Sequence, residues 1–483
     1  MVLFSGLDTS PLGGTTVGRT SVLVSSAPPI QARINSGMCV PTVHIDNLPF
    51  RHSLPSQELA DVLALIAGAR TITNGLTTQL LAGIKANDAG EAAHARDLLI
   101  NSPEARLASA INANKKLRPD LRQSLERCLA VPALLDFTKP LNEPVPVYPK
   151  AKKSGGCRMI HNPRLMHRTG QDIVARIMGA YYVPRPWQFT QRGVQAAVRQ
   201  IKQLLKMGQA YYARLDIKDF YPSFDPDKLV TELPLPQGVV ENVVIGRHMK
   251  AELDKEFMKS GYAGSSIHHT HDDLLTLARL GIPQGSGCSP IIGSYSLSRL
   301  AWPAMPDAHL VNYADDFLLL SESPLPLGKA VGTLTGAVAK LPDGYFDLKL
   351  KAEGAISKEF AFLGHRFQFI NGALKVSPTL ENLEDIWRKV GKIDHALSDL
   401  VYAVGKHGAY DKQMAMKHVA HMVAVVAGWL SAFSECDDVG RAMQEVMFGN
   451  DDWCKVLGVT LDKAKEFIEP SMDYQPSDYT FGH

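Results

Sequence analysis

The stretch VNYADDFLLL, residues 311–320, sets two adjacent carboxylates, Asp315 and Asp316, between runs of large apolar side chains. The flanks, Leu310 to Tyr313 and Phe317 to Leu320, are rich in strand formers, so the pattern predicts a hairpin whose turn carries Ala314, Asp315 and Asp316. Two ionised carboxylates side by side in an apolar setting repel each other and lose hydration. A tight turn is a rigid platform for them, and a divalent ion such as Mg²⁺, which takes a few carboxylates together with substrate phosphates, would neutralise the pair. The alternative is an Asp-rich turn facing water, where Asp serves local hydrogen bonding.

The 483-residue chain is 45% hydrophobic and 21% charged, the composition of an ordinary globular protein rather than a disordered one. Its net charge of +2 means that any nucleic-acid site must be a local basic groove and not a property of the whole surface. Cys39, Cys128, Cys157, Cys288, Cys436 and Cys454 form no close pair. That suits neither zinc spacing nor a secreted disulfide framework, and points to a reducing, cytoplasmic compartment. The apolar stretch Met422 to Phe433 is about half the roughly 20 residues that span a bilayer, so it reads as a core helix and no membrane contact is expected. MVLFSGLDTSPLGG lacks the basic start and sustained apolar run of a secretory signal, and residues 1–45 read as a tail or arm.

From Ser56 to about Leu134 the apolar positions recur at helical spacing, which predicts a helical N-terminal region over 46–140. NEPVPVYPK breaks that pattern, and the chain then turns basic: between Lys150 and Arg176 stand seven Lys or Arg against one acid, Asp172. The middle third carries β-like segments, AYYARLDI, HLVNYADDFLLL and FAFLGHRFQFING, separated by helices, which predicts an α+β domain around an antiparallel sheet. After about Pro378 helical patterns return, in LENLEDIWRKVGKIDHALSDLVYAV, KQMAMKHVAHMVAVVAGWLSAF and LDKAKEFI. Trp429 and Met422 there are core candidates before they are ligand contacts.

Three further elements accompany NYADD in order: the basic glycine turn KKSGGCRMIHNP, then LDIKDFYPSF with Asp216 at a strand end, then GIPQGSGCSP entering a helix. Each alone is weak. Together, over about Lys150 to Phe369, they make the chain resemble the reverse transcriptases, specifically the bacterial branch of retron, abortive-infection and defence-associated enzymes. The resemblance implies a right-hand polymerase with fingers at 141–210, a palm at 211–377 interrupted by a fingers insertion at about 236–275, and a helical thumb or C-terminal region at 378–483.

It also implies roles for individual residues. Two Mg²⁺ ions, with Mn²⁺ as substitute, would be held by Asp216, Asp315 and the Ile217 carbonyl, with Asp316 supporting the site. Lys152, Lys153 and Arg158 would meet the incoming triphosphate, as Arg suits bidentate phosphate contact. Asp219, Phe220, Tyr221, Gln284 and Gly285 would line the nucleotide pocket, with Tyr221 as the steric gate against a ribose 2′-hydroxyl. Leu363, Gly364, His365 and Arg366 resemble the hairpin that grips the primer strand. The implied partners are an RNA template, expected to be a dedicated noncoding RNA, the DNA product and deoxynucleotides, with a homo-oligomer open and a role in antiviral defence.

Where the family offers a lysine after YxDD, the aligned position holds Gly354; Lys349, Lys351 or Lys358 are the alternatives, and the role stays unassigned. SIHHTHDD, with His268, His269, His271, Asp272 and Asp273, reads as a polar loop sooner than as a zinc or manganese site. Three rival readings stand beside the reverse transcriptase. They are untemplated or protein-primed DNA synthesis on the same fold, an RNA polymerase, which Tyr221 and YADD disfavour, and a nucleic-acid scaffold on an inactive palm.

Overall fold

The computed structural model describes residues 56–152, 155–255, 269–303, 305–407, 421, 424–426 and 428–437. The architecture is α+β, as expected. Four helices open it: α1 (Ser56–Lys85), α2 (Ala89–Asn101), α3 (Pro103–Lys115) and α4 (Leu125–Leu134). Their boundaries follow local capping chemistry. Asp88 accepts from the Glu91 N–H at the start of α2, Ser102 accepts from Ala105 N–H ahead of Pro103, and Ser124 accepts from Arg127 N–H. Helix α1 is long and apolar enough, by length and composition alone, to cross a membrane. It spends Leu59, Val62, Ile66, Ala69 and Leu80 on the common core.

Next come strands β1 (Val145–Ala151) and β2 (Cys157–His161), joined by a turn in which Gly155 and Gly156 take φ of 87° and 73°. They form a three-stranded sheet with β4 (Ala251–Leu253), which pairs parallel to β1. Helices α5 (Leu165–Tyr181) and α6 (Val194–Lys206) follow β2.

The central sheet has the order β5-β6-β3-β7, every pair antiparallel, from β3 (Tyr211–Ile217), β5 (Ala308–Tyr313), β6 (Asp316–Ser321) and β7 (Leu348–Ala355). Strand periodicity sorts its two faces. Ala213, Leu215, Ile217, Phe317 and Leu319 join the main core, with α10 (Pro324–Val338) contributing Leu327, Ala330, Leu334 and Val338. On the other face Leu318, Leu320 and Tyr212 pack against Val198, Ile201 and Leu205 of α6 and against a third sheet. That sheet has the order β10-β9-β8, built from β8 (Phe360–Phe362), β9 (His365–Ile370) and β10 (Ala373–Pro378).

Between these lie α7 (Pro226–Glu232), α8 (His271–Ala278) and α9 (Ser289–Ser298); α11 (Leu380–His407) follows β10. Of the segment SIHHTHDD, read as a polar loop, His271, Asp272 and Asp273 instead open α8. Thr270 and Asp273 form a capping box in which each side chain accepts from the other's backbone N–H, so Asp273 is engaged locally. His268 and Met422 lie outside the described residues. Trp429 is half-buried and packs on Phe433 at 4.7 Å.

Candidate active site

The hairpin turn is shorter than the sequence suggested. Tyr313 pairs with Asp316, so Ala314 and Asp315 alone form the turn and Asp316 is the first residue of β6. Ala314 takes φ of 51°, a left-handed conformation that costs a non-glycine residue about 1 kcal/mol. Side chains hold it there. The Ala314 N–H donates to Thr190 Oγ1 at 2.9 Å, and Asn312 Nδ2 donates to the carbonyls of Ala314 at 2.8 Å and Asp316 at 3.1 Å.

The three acids meet through sheet register. Asp216 on β3 lies directly opposite Asp316 on β6, which places their Cβ atoms about 5 Å apart. The Ile217 N–H donates to the Asp315 carbonyl at 3.2 Å, stitching the turn onto the end of β3. Ile217 itself is 1% exposed, its side chain in the main core.

Burial pushes the Asp315 carboxyl up to about 6, repulsion from Asp316 and Asp216 adds to this, and a backbone hydrogen bond and the charge of Arg158 pull it back. Asp316 is also raised, by burial first, with Arg214 opposing. Two cations are built into the sheet as partial counterweights. Arg214, two residues before Asp216 and so on the same strand face, places Nη2 3.6 Å from Asp316 Oδ1. Lys351 Nζ lies 3.0 Å from Asp216 Oδ2. A bulge makes the second contact: Arg214 pairs with Ala352 and Leu215 with Leu350, which leaves Lys351 as the extra residue, turned toward the acids. Of the three lysines left open, Lys351 therefore reaches Asp216, while Lys349 pairs with Asp347 at 2.7 Å.

Among the described residues no three His, Cys, Asp or Glu side chains converge into a preformed cage. The donor set nonetheless suits a hard divalent ion: three carboxylates that repel one another, brought together by strand register and a hairpin turn.

Around the acids the other candidates divide. Lys152 forms an ion pair with Asp219, bringing the glycine turn to the loop after β3, where Asp219 takes φ of 50°. Arg158 is exposed on β2, and its charge acts on Asp315. Lys153 lies outside the described residues. Tyr221 is half-buried; burial, then the nearby Asp315, push its phenol pKa up. Phe220 lies in the core, 3% exposed and packed with Phe224 and Phe346, under Tyr221.

Loop 281–290 is pinned at both ends of this group. The Ile282 N–H donates to the Tyr221 carbonyl at 3.1 Å, and the Gln284 carbonyl accepts from the His161 N–H on β2 at 2.7 Å. Two glycines are required: a Cβ on Gly281 would lie 2.1 Å from the Tyr221 carbonyl oxygen, and one on Gly285 would lie 2.3 Å from that of His161.

The hairpin at 363–366 is mixed. Leu363 and Gly364 turn the chain with φ of 50° and 75°. His365 is 1% exposed, its ring bonded to the Leu363 carbonyl and tilted against Phe433 at 4.8 Å, whereas Arg366 reaches outward to Glu359 at 3.5 Å.

Sequence reasoning passed over Arg214, Thr190 and Asn312. For Arg214 the period-two spacing from Asp216 was an available signal, while Thr190 lies 124 residues from its partner.

Residues 149–367 match the family model described as reverse transcriptase (RNA-dependent DNA polymerase), so the chain carries a reverse-transcriptase domain. A search of curated proteins finds no match. Among solved structures, the chain is similar to a telomerase from Candida tropicalis in complex with a TWJ fragment of telomeric RNA, at TM-score 0.33 and 13% identity, covering 72% of this chain and 65% of that one. It is similar also to the Candida albicans telomerase with the same kind of fragment, at TM-score 0.32 and 11% identity over 70% of this chain and 65% of that one. For an apo Candida tropicalis telomerase the TM-score is 0.31 and the identity 12%, over 60% of this chain. This chain spans 58% of that telomerase and 65% of the other two.

Proposed function

We propose that this chain is an RNA-directed DNA polymerase that extends a primer from deoxynucleotides, copying a dedicated noncoding RNA in antiviral defence within the cytoplasm. The observation that carries the reading is the register that sets Asp216 against Asp316 with Asp315 on the turn between β5 and β6, inside a reverse-transcriptase domain. In this reading the sheet of β1, β2 and β4 belongs to the fingers, the central sheet is the palm, and the helices from α11 onward form the thumb.

Asp216, Asp315 and the Ile217 carbonyl would hold two Mg²⁺ ions, or Mn²⁺ in their place, which supply activation of the primer 3′-hydroxyl and charge neutralisation at the departing pyrophosphate. The chain's own residues do the rest. Arg158 and Lys152, on opposite sides of the glycine turn, meet the triphosphate, and Lys152 leaves Asp219 to do so. Tyr221, its backbone fixed by Ile282, excludes a 2′-hydroxyl. Lys351 and Arg214 keep the acids from full mutual repulsion between turnovers.

Untemplated or protein-primed DNA synthesis is the second reading, since the same carboxylates would serve it. Sequencing of all RNA and DNA that co-purify with wild type and with Asp315→Asn separates the two. One discrete RNA with complementary DNA in wild type alone supports templated synthesis. DNA that depends on Asp315 but matches no RNA supports the second reading, and equal DNA in both samples contradicts the assignment of Asp315.

A further inference from the structure

The strap that joins α5 to α6, residues 182–193, runs beside the outer edge of β5 and reaches the turn that carries Asp315. One rung pins it to the strand. The Asn312 N–H donates to the Trp187 carbonyl at 2.8 Å, and the Phe189 N–H donates to the Asn312 carbonyl at 2.9 Å. Phe189 is 4% exposed and belongs to the apolar cluster of Val311, Leu318 and Leu320. The strap is also bound to α9. Gln188, 1% exposed, donates from Nε2 to the Ser294 carbonyl at 3.1 Å, and Arg185 donates from Nε to the Ser298 carbonyl at 2.6 Å. Gln188 Oε1 in turn accepts from the Arg185 N–H at 2.9 Å. These bonds fix the place of Thr190, two residues beyond Gln188, and there its Oγ1 accepts from the Ala314 N–H at 2.9 Å.

What that bond does follows from the residue it holds. A positive φ at the first position of a two-residue hairpin turn is ordinarily given to glycine, which adopts it freely. This chain has Ala314 there, at φ of 51°. The left-handed conformation disfavours alanine by about as much as one hydrogen bond to a turn N–H contributes, so the Thr190 bond is of the size needed to hold the turn. Asn312 ties the same turn from within the hairpin, by its carbonyls, whereas Thr190 is the tie from outside it. With that tie cut, Ala314 relaxes toward an ordinary φ, the peptide that joins it to Asp315 rotates, and the Asp315 carboxylate turns with it.

We propose that Thr190 is a positioning residue for the carboxylate centre: its hydroxyl keeps Ala314 left-handed and so aims Asp315 at the divalent ion it would share with Asp216. The strap carries Thr190 to the turn, and α9, which follows directly on the loop of Gln284 and Gly285, anchors the strap. The inference deepens the two-metal reading of these acids and rests on it.

The test reads Mn²⁺ binding to the full chain without nucleic acid or nucleotide, by electron paramagnetic resonance of the free ion, beside deoxynucleotide incorporation. Thr190→Val keeps the shape and removes the acceptor. It should weaken Mn²⁺ binding about fivefold and lower kcat about fivefold, with the deoxynucleotide KM and primer–template affinity changed by less than about twofold. Thr190→Ser keeps the hydroxyl and should lie within about twofold of wild type. The decisive background is Ala314→Gly, because glycine stays left-handed unaided: there Thr190→Val should cost less than about twofold. Wild-type Mn²⁺ binding in Thr190→Val overturns the proposal. So does a loss that Thr190→Ser shares, or one of equal size with and without Ala314→Gly, since either marks a merely structural role. Asp315→Asn separates this proposal from the reading beneath it. Mn²⁺ binding unchanged in Asp315→Asn overturns both; binding lost in Asp315→Asn but retained in Thr190→Val overturns the positioning alone. Mn²⁺ binding that depends on both residues, without incorporation by wild type, supports the positioning and overturns the polymerase.

Discussion

The carboxylate end of the central sheet and the seam between α3 and α5 both bury polar groups, yet they do so in opposite ways. At the sheet end three acids lie within two short segments, 216 and 315–316, and the backbone itself aligns them through β3, β6 and the turn. Cations from neighbouring strands offset part of their repulsion. At the seam the acid is already paired: Asp172 meets Lys116, and Asn112, Gln171 and Gly287 come in from distant stretches, with single buried atoms left without a hydrogen-bond partner. The first is a site under electrostatic load, which a bound cation would relieve. The second is a packed seam whose polar side chains are held mainly by each other.

The comparison can be broken where the two regions join, in loop 281–290. Gly285→Ala forces a Cβ against the His161 carbonyl at a φ of 96° and should destabilise the protein by about 2–4 kcal/mol, read as a fall in the chemical denaturation midpoint. A neutral result would mean that the loop is not held as described. Tyr221→Ala tests the pocket this loop lines: discrimination against ribonucleotides should drop about tenfold or more, or about 1.4 kcal/mol, in competition incorporation assays. Unchanged discrimination would remove Tyr221 from the role.

A pH experiment sharpens the contrast in electrostatic load. Because Asp315 is raised to about 6 in the folded state, the fold favours its protonated form, and stability present below its ordinary carboxylate range is lost as pH rises toward 6. Metal-free wild type should therefore lose about 2 kcal/mol relative to Asp315→Asn between about pH 4 and pH 7. Added Mg²⁺ should restore it at pH 7 in wild type but not in the variant. The smallest effect is expected from Thr190→Val, which removes the acceptor for the Ala314 N–H and should cost about 1 kcal/mol in thermal unfolding.

The contrast also explains what could be read in the sequence. The hairpin and β3 were legible because strand formers flank the acids on both sides. The order of four short motifs pointed to the same domain that residues 149–367 match. The bulge that selects Lys351 was not legible, since LKLKAEG offers an alternating pattern in either register and only pairing with Arg214 and Leu215 decides it. The start of α8 is legible in the capping-box spacing of Thr270 and Asp273, although the neighbouring histidines give the stretch the look of a polar loop. The seam was invisible: Gln171 and Gly287 are separated by 116 residues, and neither type signals the contact by itself. Local motifs write themselves into sequence, whereas a distributed seam exists only once the helices pack.

The most direct measurement is primer extension on a defined RNA template with Mg²⁺ and deoxynucleotides, comparing wild type with Asp315→Asn at equal thermal stability and equal RNA affinity. The account predicts template-complementary DNA from wild type and a loss of about a thousandfold or more in the variant, which keeps the side-chain volume and removes the charge. Comparable extension by the two proteins would contradict the claim that the paired acids of the hairpin are the catalytic centre.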